Sequence, residues 1–198
     1  MKHFTSKIDI SQDLDMKEYM SLAEKVKKHY TAASKKSYTA KSSMLRNAEI
    51  IRQYKSSILN NINNKYKNAS LSMIIIDPNI KRYIQGISKS SKEIVQSIKP
   101  ILVELKEAST NLQNLIKYVN KYPKLQEVFN KDFKNKTFNI FPDYFFISLE
   151  NNNASEKEFL HAYNTMESCL QYNIIDMEYI IKNLTNKDMG LELIKTNI

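Results

Sequence analysis

Hydrophobic residues recur at alternating steps of four and three residues between Asp77 and Tyr122, which is the clearest pattern in the chain. A spacing that averages 3.5 residues over six heptads is typical of a helix that packs lengthwise against another helix. It predicts one long helix at about 78–122, with Ser91 as its one polar interruption. The positions are Ile80, Ile84, Ile87, Ser91, Ile94, Ile98, Ile101, Leu105, Ala108, Leu112, Leu115, Val119 and Tyr122.

A second long helix is predicted at 13–66, preceded by an arm at 1–12. Within Thr31–Ser43 the large apolar residues give way to Ser, Thr and Ala. This stretch is either a narrow helical seam or a polar loop that divides the helix. The first 77 residues contain neither glycine nor proline, which favours a continuous helix. Its apolar positions are Tyr19, Leu22, Val26, Tyr30, Ala33, Ala40, Met44, Ala48, Ile51, Ile58, Ile62 and Tyr66.

Local signals predict where these helices begin and whether they continue. Asp15 and Glu18 have the spacing of a capping box at the start of the first helix. Asp77 followed by Pro78 supplies an N-cap acceptor and a proline at the first helical position. Pro100 falls inside the second helix, but the heptad phase is unchanged across it, so we expect a bend and not an end.

The remaining segments complete an all-α fold in a single domain, 1–198. The apolar run Leu71–Ile76 is predicted to connect the two long helices and to close one end of the bundle. An aromatic-rich irregular segment at 124–153 is followed by a third long helix at 156–184, predicted to be buried on two sides, and by a short C-terminal helix or tail at 185–198. Because the chain has only two glycines and four prolines, we expect an elongated helical bundle with long antiparallel coiled-coil-like helices.

Two apolar segments are candidates for contact with a partner or a membrane. Six of the eight phenylalanines fall between Phe129 and Phe146, where they either plug the open end of the bundle or form an exposed patch. The isoleucine run before Pro78 has the same two interpretations. The candidate residues are Phe138, Phe141, Tyr144, Phe145, Phe146, Ile74, Ile75 and Ile76.

The net charge of +9 is concentrated in the first two thirds of the chain, whereas residues 141–198 hold four Lys/Arg and nine Asp/Glu. A basic tract in the first helix is either a site for nucleic acid or another acidic surface, or the solvated face of a long helix. Lysine outnumbers arginine 27 to 3, as codon bias in an AT-rich genome would also produce. The candidate residues are Lys25, Lys27, Lys28, Lys35, Lys36, Lys41, Arg46, Arg52 and Lys55.

Candidate catalytic and metal-binding residues are few. The chain has three histidines and one cysteine, and its two isolated glycines exclude a glycine-rich phosphate loop. Glu158 and His161 form one Glu-x-x-His pair, whereas a di-iron bundle needs two such pairs and further glutamates. Cys169 lies two helical turns from His161, too far for a Cys–His nucleophile. We therefore predict no enzyme activity, cofactor or metal site.

The first residues are charged and lack the apolar core of a signal peptide, and no apolar window is long enough to span a membrane. A cytoplasmic location is the prediction, with export without a cleaved signal as an alternative. The predicted function is that of a non-catalytic helical interaction protein, a scaffold, assembly subunit or effector that binds a protein partner or a second copy of itself. A sequence-nonspecific nucleic-acid-binding protein and a protein that acts on an anionic membrane surface are the alternatives.

Overall fold

The computed structural model describes residues 7–133, 166–186 and 189–198, and the regular elements of these residues are all helical. The predicted all-α, elongated helical bundle is confirmed. In chain order the elements are α1 (Lys7–Lys65), α2 (Leu71–Ile76), α3 (Pro78–Lys121), a 3-10 turn (Pro123–Leu125), α4 (Gln126–Phe133), α5 (Met166–Asn186) and α6 (Met189–Thr196).

The two long helices, α1 and α3, pack against each other in antiparallel orientation along most of their length. Their side-chain contacts run from Asp15 with Tyr118 at one end to Tyr66 with Asp77 at the other. At 1.5 Å per residue the 59 residues of α1 span about 90 Å. We call residues 66–80, where the chain reverses from α1 into α3, the tip, and the opposite end of the pair, where α3 leads into α4, the base.

The heptad pattern predicted for α3 is the core of this pair. Eleven of its thirteen positions are buried, Ser91 included, and the other two, Ile84 and Tyr122, are half-buried. The helix continues through Pro100, and Ile98 and Ile101 on either side of it are fully buried. Pro100 itself is exposed, so the backbone hydrogen bond that it cannot donate is missing on the solvent side of the helix.

α1 is unbroken through Thr31–Ser43, and Ala33 and Ser37 there face the core. Its start corrects the prediction, because the helix begins at Lys7 and includes residues 7–12 of the predicted arm. No glycine or proline upstream stops the helix, so Asp15 lies inside it and does not cap it. The Asp15 carboxylate instead accepts a hydrogen bond of 3.4 Å from the Tyr118 hydroxyl.

The connection between the long helices is itself a short helix, α2, although it is rich in β-branched isoleucine. Burial of Ile74, which is completely inaccessible to solvent, stabilises this turn against the core. The predicted cap of α3 is confirmed, because Asp77 Oδ1 accepts hydrogen bonds from the backbone N–H groups of Asn79 (2.7 Å) and Ile80 (3.1 Å).

α5 runs antiparallel to α3 and packs mainly against it. Gln171 Nε2 donates to Ser109 Oγ at 2.8 Å, and Lys106 forms a 2.5 Å ion pair with Glu178. Only residues 166–184 of the third helix predicted at 156–184 are among those described. Burial on two sides was predicted for it, but Ile175 is 53% exposed, so its buried face is narrower than expected.

The predicted C-terminal helix is present as α6, which packs against both α1 and α3. A Cβ added at Gly190 would lie 3.0 Å from Ile84 Cγ1 and 3.3 Å from Ile84 Cα. α6 therefore crosses α3 at a distance that favours glycine, about two turns from the start of α3.

Candidate interaction surface

Near the base, cations of the predicted basic tract are paired with acids of neighbouring helices. Lys27 Nζ lies 3.6 Å from Asp132 Oδ2 and 5.4 Å from the centre of the Phe133 ring. The same carboxylate accepts a hydrogen bond of 3.0 Å from the Tyr19 hydroxyl, and burial together with this carboxylate raises the pKa of Tyr19. Lys27 therefore helps to hold α4 against α1.

Glu104 joins α3 to α1 through two partners. Its Oε1 accepts from Lys36 Nζ at 2.6 Å, and its Oε2 lies 2.8 Å from His29 Nδ1. The hydrogen bonds from Lys36 and His29 lower the pKa of Glu104, and the side chain is only 19% exposed. These contacts fix how the helices align. Sequence reasoning missed them, although His29 and Glu104 each lie beside the apolar seam of their helix.

A second polar contact between the helices lies farther toward the tip. The Asn47 amide donates to Glu93 Oε2 at 2.9 Å and to the Ser43 backbone carbonyl at 3.0 Å, and Asn47 is buried. The buried Ser91 hydroxyl, at the polar break of the heptads, has no hydrogen-bond partner among the described residues. A buried asparagine of this kind sets the register of two helices and reduces their stability.

We call residues 46–99, the part of the α1–α3 pair that includes the tip, the distal half. The distal half is more basic than the rest of the pair and holds ten Lys/Arg and three Asp/Glu. All three acids already have partners: Glu49 pairs with Arg52, Asp77 with Tyr66, and Glu93 with Asn47. Within the described part of the chain, the cations without a carboxylate in ion-pair range are Arg46, Lys55, Lys65, Lys67, Lys81, Arg82, Lys89, Lys92 and Lys99.

The distal cations differ in how freely they meet solvent. Lys55 is half-buried, and this burial lowers its pKa. Arg82 lies 5.7 Å from the centre of the Tyr83 ring. Lys89 and Lys92 line an open depression on α3 together with the acidic Glu93, the apolar Ile84 and polar side chains. The other distal cations without a carboxylate are exposed, so most of this charge is available to a partner.

The tip divides the isoleucine candidates. Ile74 is fully buried, which removes it from the residues that could contact a partner, because the helical turn of α2 directs it into the core. Ile75 is 37% exposed, Ile76 is 74% exposed, and their neighbour Met73, which was not singled out from the sequence, is 63% exposed. The sequence could not distinguish the buried Ile74 from the exposed Ile75 and Ile76, because adjacent apolar residues without a periodic spacing do not indicate which side chain faces the core.

The other candidates fall into three groups. Lys25, Lys28 and Lys35 are exposed on α1 and pair with no acid in the described ranges, whereas Lys41 is exposed and has an interaction partner. The aromatic candidates Phe138, Phe141, Tyr144, Phe145 and Phe146 lie outside the described residues. So do Glu158 and His161, and the side chain of Cys169 is likewise not described.

Three features that often indicate function are metal sites, membrane-spanning helices and similarity to known proteins. No group of three or more His, Cys, Asp or Glu side chains among the described residues could hold a metal ion. None of the described helices has the length and apolar character of a membrane span. Comparisons with protein-family models, curated proteins and solved structures gave no match.

Proposed function

We propose that this protein is a non-catalytic helical interaction protein, of the scaffold, assembly-subunit or effector kind, that binds an acidic partner through its distal half. The observation that supports this is the state of the three acids among residues 46–99. Only Glu49 lies in ion-pair range of a cation there, whereas Asp77 and Glu93 accept hydrogen bonds from the neutral Tyr66 and Asn47. The other nine of the ten cations have no carboxylate in ion-pair range among the described residues. A negatively charged partner would supply the anionic groups that pair with these cations.

The rod-like pairing of α1 and α3 suits such a role. Most apolar side chains of both helices pack against each other, so the exposed surface of the pair is mainly charged and polar. The cytoplasmic location predicted from the sequence remains part of this proposal.

A matched pair of charge variants tests the proposal. Lys89, Lys92 and Lys99 are exposed in the distal half, and Lys117, Lys124 and Lys131 are exposed toward the base. Changing either set to Gln removes the same charge. We expect only the distal variant to lose the molecules that wild-type protein retains from its native cell extract, measured by quantitative mass spectrometry and by retention at rising salt. Equal retention by both variants, or a wild-type monomer that retains nothing, would overturn the proposal.

A nucleic-acid-binding protein is the second candidate, and one observation favours it. Tyr38 is 83% exposed on α1, one turn from the unpaired Lys35, so its ring can stack on a base. Tyr30 and Tyr54 are half-buried and offer no such face. This candidate predicts binding to single-stranded nucleic acid of scrambled sequence that weakens steeply with salt and with Tyr38→Ala. Absence of binding at low salt in an anisotropy titration would exclude it.

A further inference from the structure

The outer side of α2 exposes three apolar side chains, Met73, Ile75 and Ile76, beside the polar Ser72. Leu71 and Ile74 face inward, and Ile74 is fully buried. Met73 and Ile76, three residues apart and therefore on one face, are 63% and 74% exposed. Large apolar side chains that are exposed together are typical of surfaces that bind a partner or a membrane, and among the described residues nothing covers Met73 and Ile76.

This apolar face is held in place by specific bonds. The Tyr66 hydroxyl, at the end of α1, donates to Asp77 Oδ2, at the start of α3, so one hydrogen bond closes the tip. The other oxygen of Asp77 accepts from the first backbone N–H groups of α3. The hydrogen bond from Tyr66 is the main cause that lowers the pKa of Asp77. The tip therefore presents Met73 and Ile76 in a preorganised arrangement.

Basic residues flank α2 on both sides along the chain. Lys65 and Lys67 lie just before α2, and Lys81 and Arg82 lie in the first turn and a half of α3, all exposed. Asp77 is the only acid in the sequence between residues 50 and 92; its carboxylate accepts from the neutral Tyr66 hydroxyl and attracts Lys65. The tip thus combines exposed apolar side chains with four cations and one acid, which gives it a net positive charge.

We propose that the tip docks on an anionic lipid bilayer. The outer face of α2 enters the boundary between headgroups and acyl chains, while Lys65, Lys67, Lys81 and Arg82 bind lipid phosphates and carboxylates. Membrane-surface helices combine these two features, and each basic residue near an anionic surface adds to the attraction. This inference rests on the proposed function, because it names an anionic bilayer as the acidic partner.

The size and chemistry of the tip favour a bilayer over a macromolecular partner. Three exposed apolar side chains offer at most a few hundred Å², well below the ~800 Å² per partner of a stable protein interface or dimer. A bilayer needs no shape-matched surface. Nucleic-acid phosphates would use the cations but not the apolar side chains. Stacking of a base would need an exposed aromatic ring, but Tyr66 is half-buried on Asp77, and Tyr83 is half-buried against Tyr54 at 5.4 Å.

A tryptophan placed at the tip reports directly on insertion, because the chain has no natural tryptophan. Ile76→Trp in the full chain is titrated with phosphatidylcholine vesicles that contain or lack phosphatidylserine. We expect a blue shift of its fluorescence only with the anionic vesicles. Ile175→Trp is the matched control, because Ile175 is 53% exposed on α5 at roughly 40 Å from the tip along α3. Its emission should not change.

Co-sedimentation with the same vesicles tests the two features separately. Ile76→Asp should weaken binding at least about tenfold, because it removes apolar burial and adds a charge that the lipid repels. Ile175→Asp, with the same change of charge, should leave binding unchanged to within about twofold. Lys67→Gln and Lys81→Gln should each weaken binding by about fivefold. Circular dichroism establishes that each variant keeps the helical fold.

The outcomes separate this inference from the proposed function. No binding to anionic vesicles, or equal binding by Ile76→Asp and wild type, overturns the lipid inference. So does a tryptophan shift at position 76 that arises from added nucleic acid or from self-association without vesicles. In those cases the proposed function stands if the Lys89, Lys92 and Lys99 variant still loses its partner. If neither the vesicles nor that variant shows a difference, both proposals fail.

Discussion

The two ends of the α1–α3 pair use their charged residues in opposite ways. Toward the base, Lys27 and Lys36 are paired with Asp132 and Glu104, and His29 shares the second carboxylate. At the tip, Lys67 and Lys81 are exposed and pair with no acid in the described part of the chain. Toward the base, some charged side chains thus join neighbouring helices, whereas the tip leaves its cations and three apolar side chains to solvent.

This difference separates residues that hold the fold together from residues that are free for another purpose. Lys27, His29, Lys36 and Glu104 cannot be changed without loss of contacts between helices. Those on the outside of the tip can be changed with little effect on folding. Substitutions at the tip, along the helix pair and toward the base test this division, and the largest expected effect is at the tip.

The largest difference in stability is expected within α2, where isoleucine can be changed to alanine at a buried and at an exposed position. Ile74→Ala should lower the free energy of unfolding by about 2–4 kcal/mol, because Ile74 is completely buried and its removal leaves a cavity. Ile76→Ala should change it by less than about 0.5 kcal/mol, because Ile76 is 74% exposed. Denaturant unfolding followed by circular dichroism measures both values. Equal losses would mean that α2 does not pack on the core by one face.

Gly86 provides the second test, because the Tyr54 ring lies directly over it. A Cβ at this position would be 2.1 Å from Tyr54 Cε2, so the ring would have to move. We expect Gly86→Ala to cost about 1–2 kcal/mol in the wild-type background. In a Tyr54→Ala background the same substitution should be neutral or stabilising, since alanine is favoured over glycine in a helix by about 1 kcal/mol. Thermal unfolding of the four variants gives the coupling; additive effects would contradict the close approach.

Glu104 is the test toward the base. Glu104→Gln should cost about 1 kcal/mol, because it removes the charge that Lys36 and His29 bind in a partly buried site. Glu107→Gln is the matched control, because Glu107 is exposed and its carboxylate has no partner within the described ranges. The pKa of Glu104 is lowered in the fold, so its contribution is complete above the ordinary value of 4.5 and is lost as the pH falls through the lower folded value. The stability difference between wild type and Glu104→Gln should therefore shrink in acid. A difference that stays constant with pH would contradict the role of the carboxylate.

The parts of this structure that the sequence predicted are those that depend on periodicity or on adjacent residues. The α3 seam is a local repeat, and the Asp77 cap needs only the two residues after it. The contacts of Glu104 with His29 and of Asn47 with Glu93 could not be predicted, because they depend on the register of two helices. The register depends on how the chain reverses at the tip, where Leu71–Ile76, apolar except for Ser72, carries no period that would distinguish Ile74 from Ile76. The start of α1 was missed because an uncapped helix can extend in either direction when no glycine or proline stops it.

The smallest expected effect is the salt dependence of the stability change, which should have opposite signs for variants at the two ends. Lys36→Gln should reduce stability by up to about 1 kcal/mol at low salt, and the loss should diminish as salt screens the attraction to Glu104. The double variant Lys67→Gln and Lys81→Gln should instead leave stability unchanged or raise it by up to about 0.5 kcal/mol at low salt, because it relieves repulsion among unpaired cations. Unfolding of each variant in a salt series measures the two slopes. Slopes of the same sign would mean that the tip cations are held by partners within the chain, and that the tip is not free to bind an acidic surface.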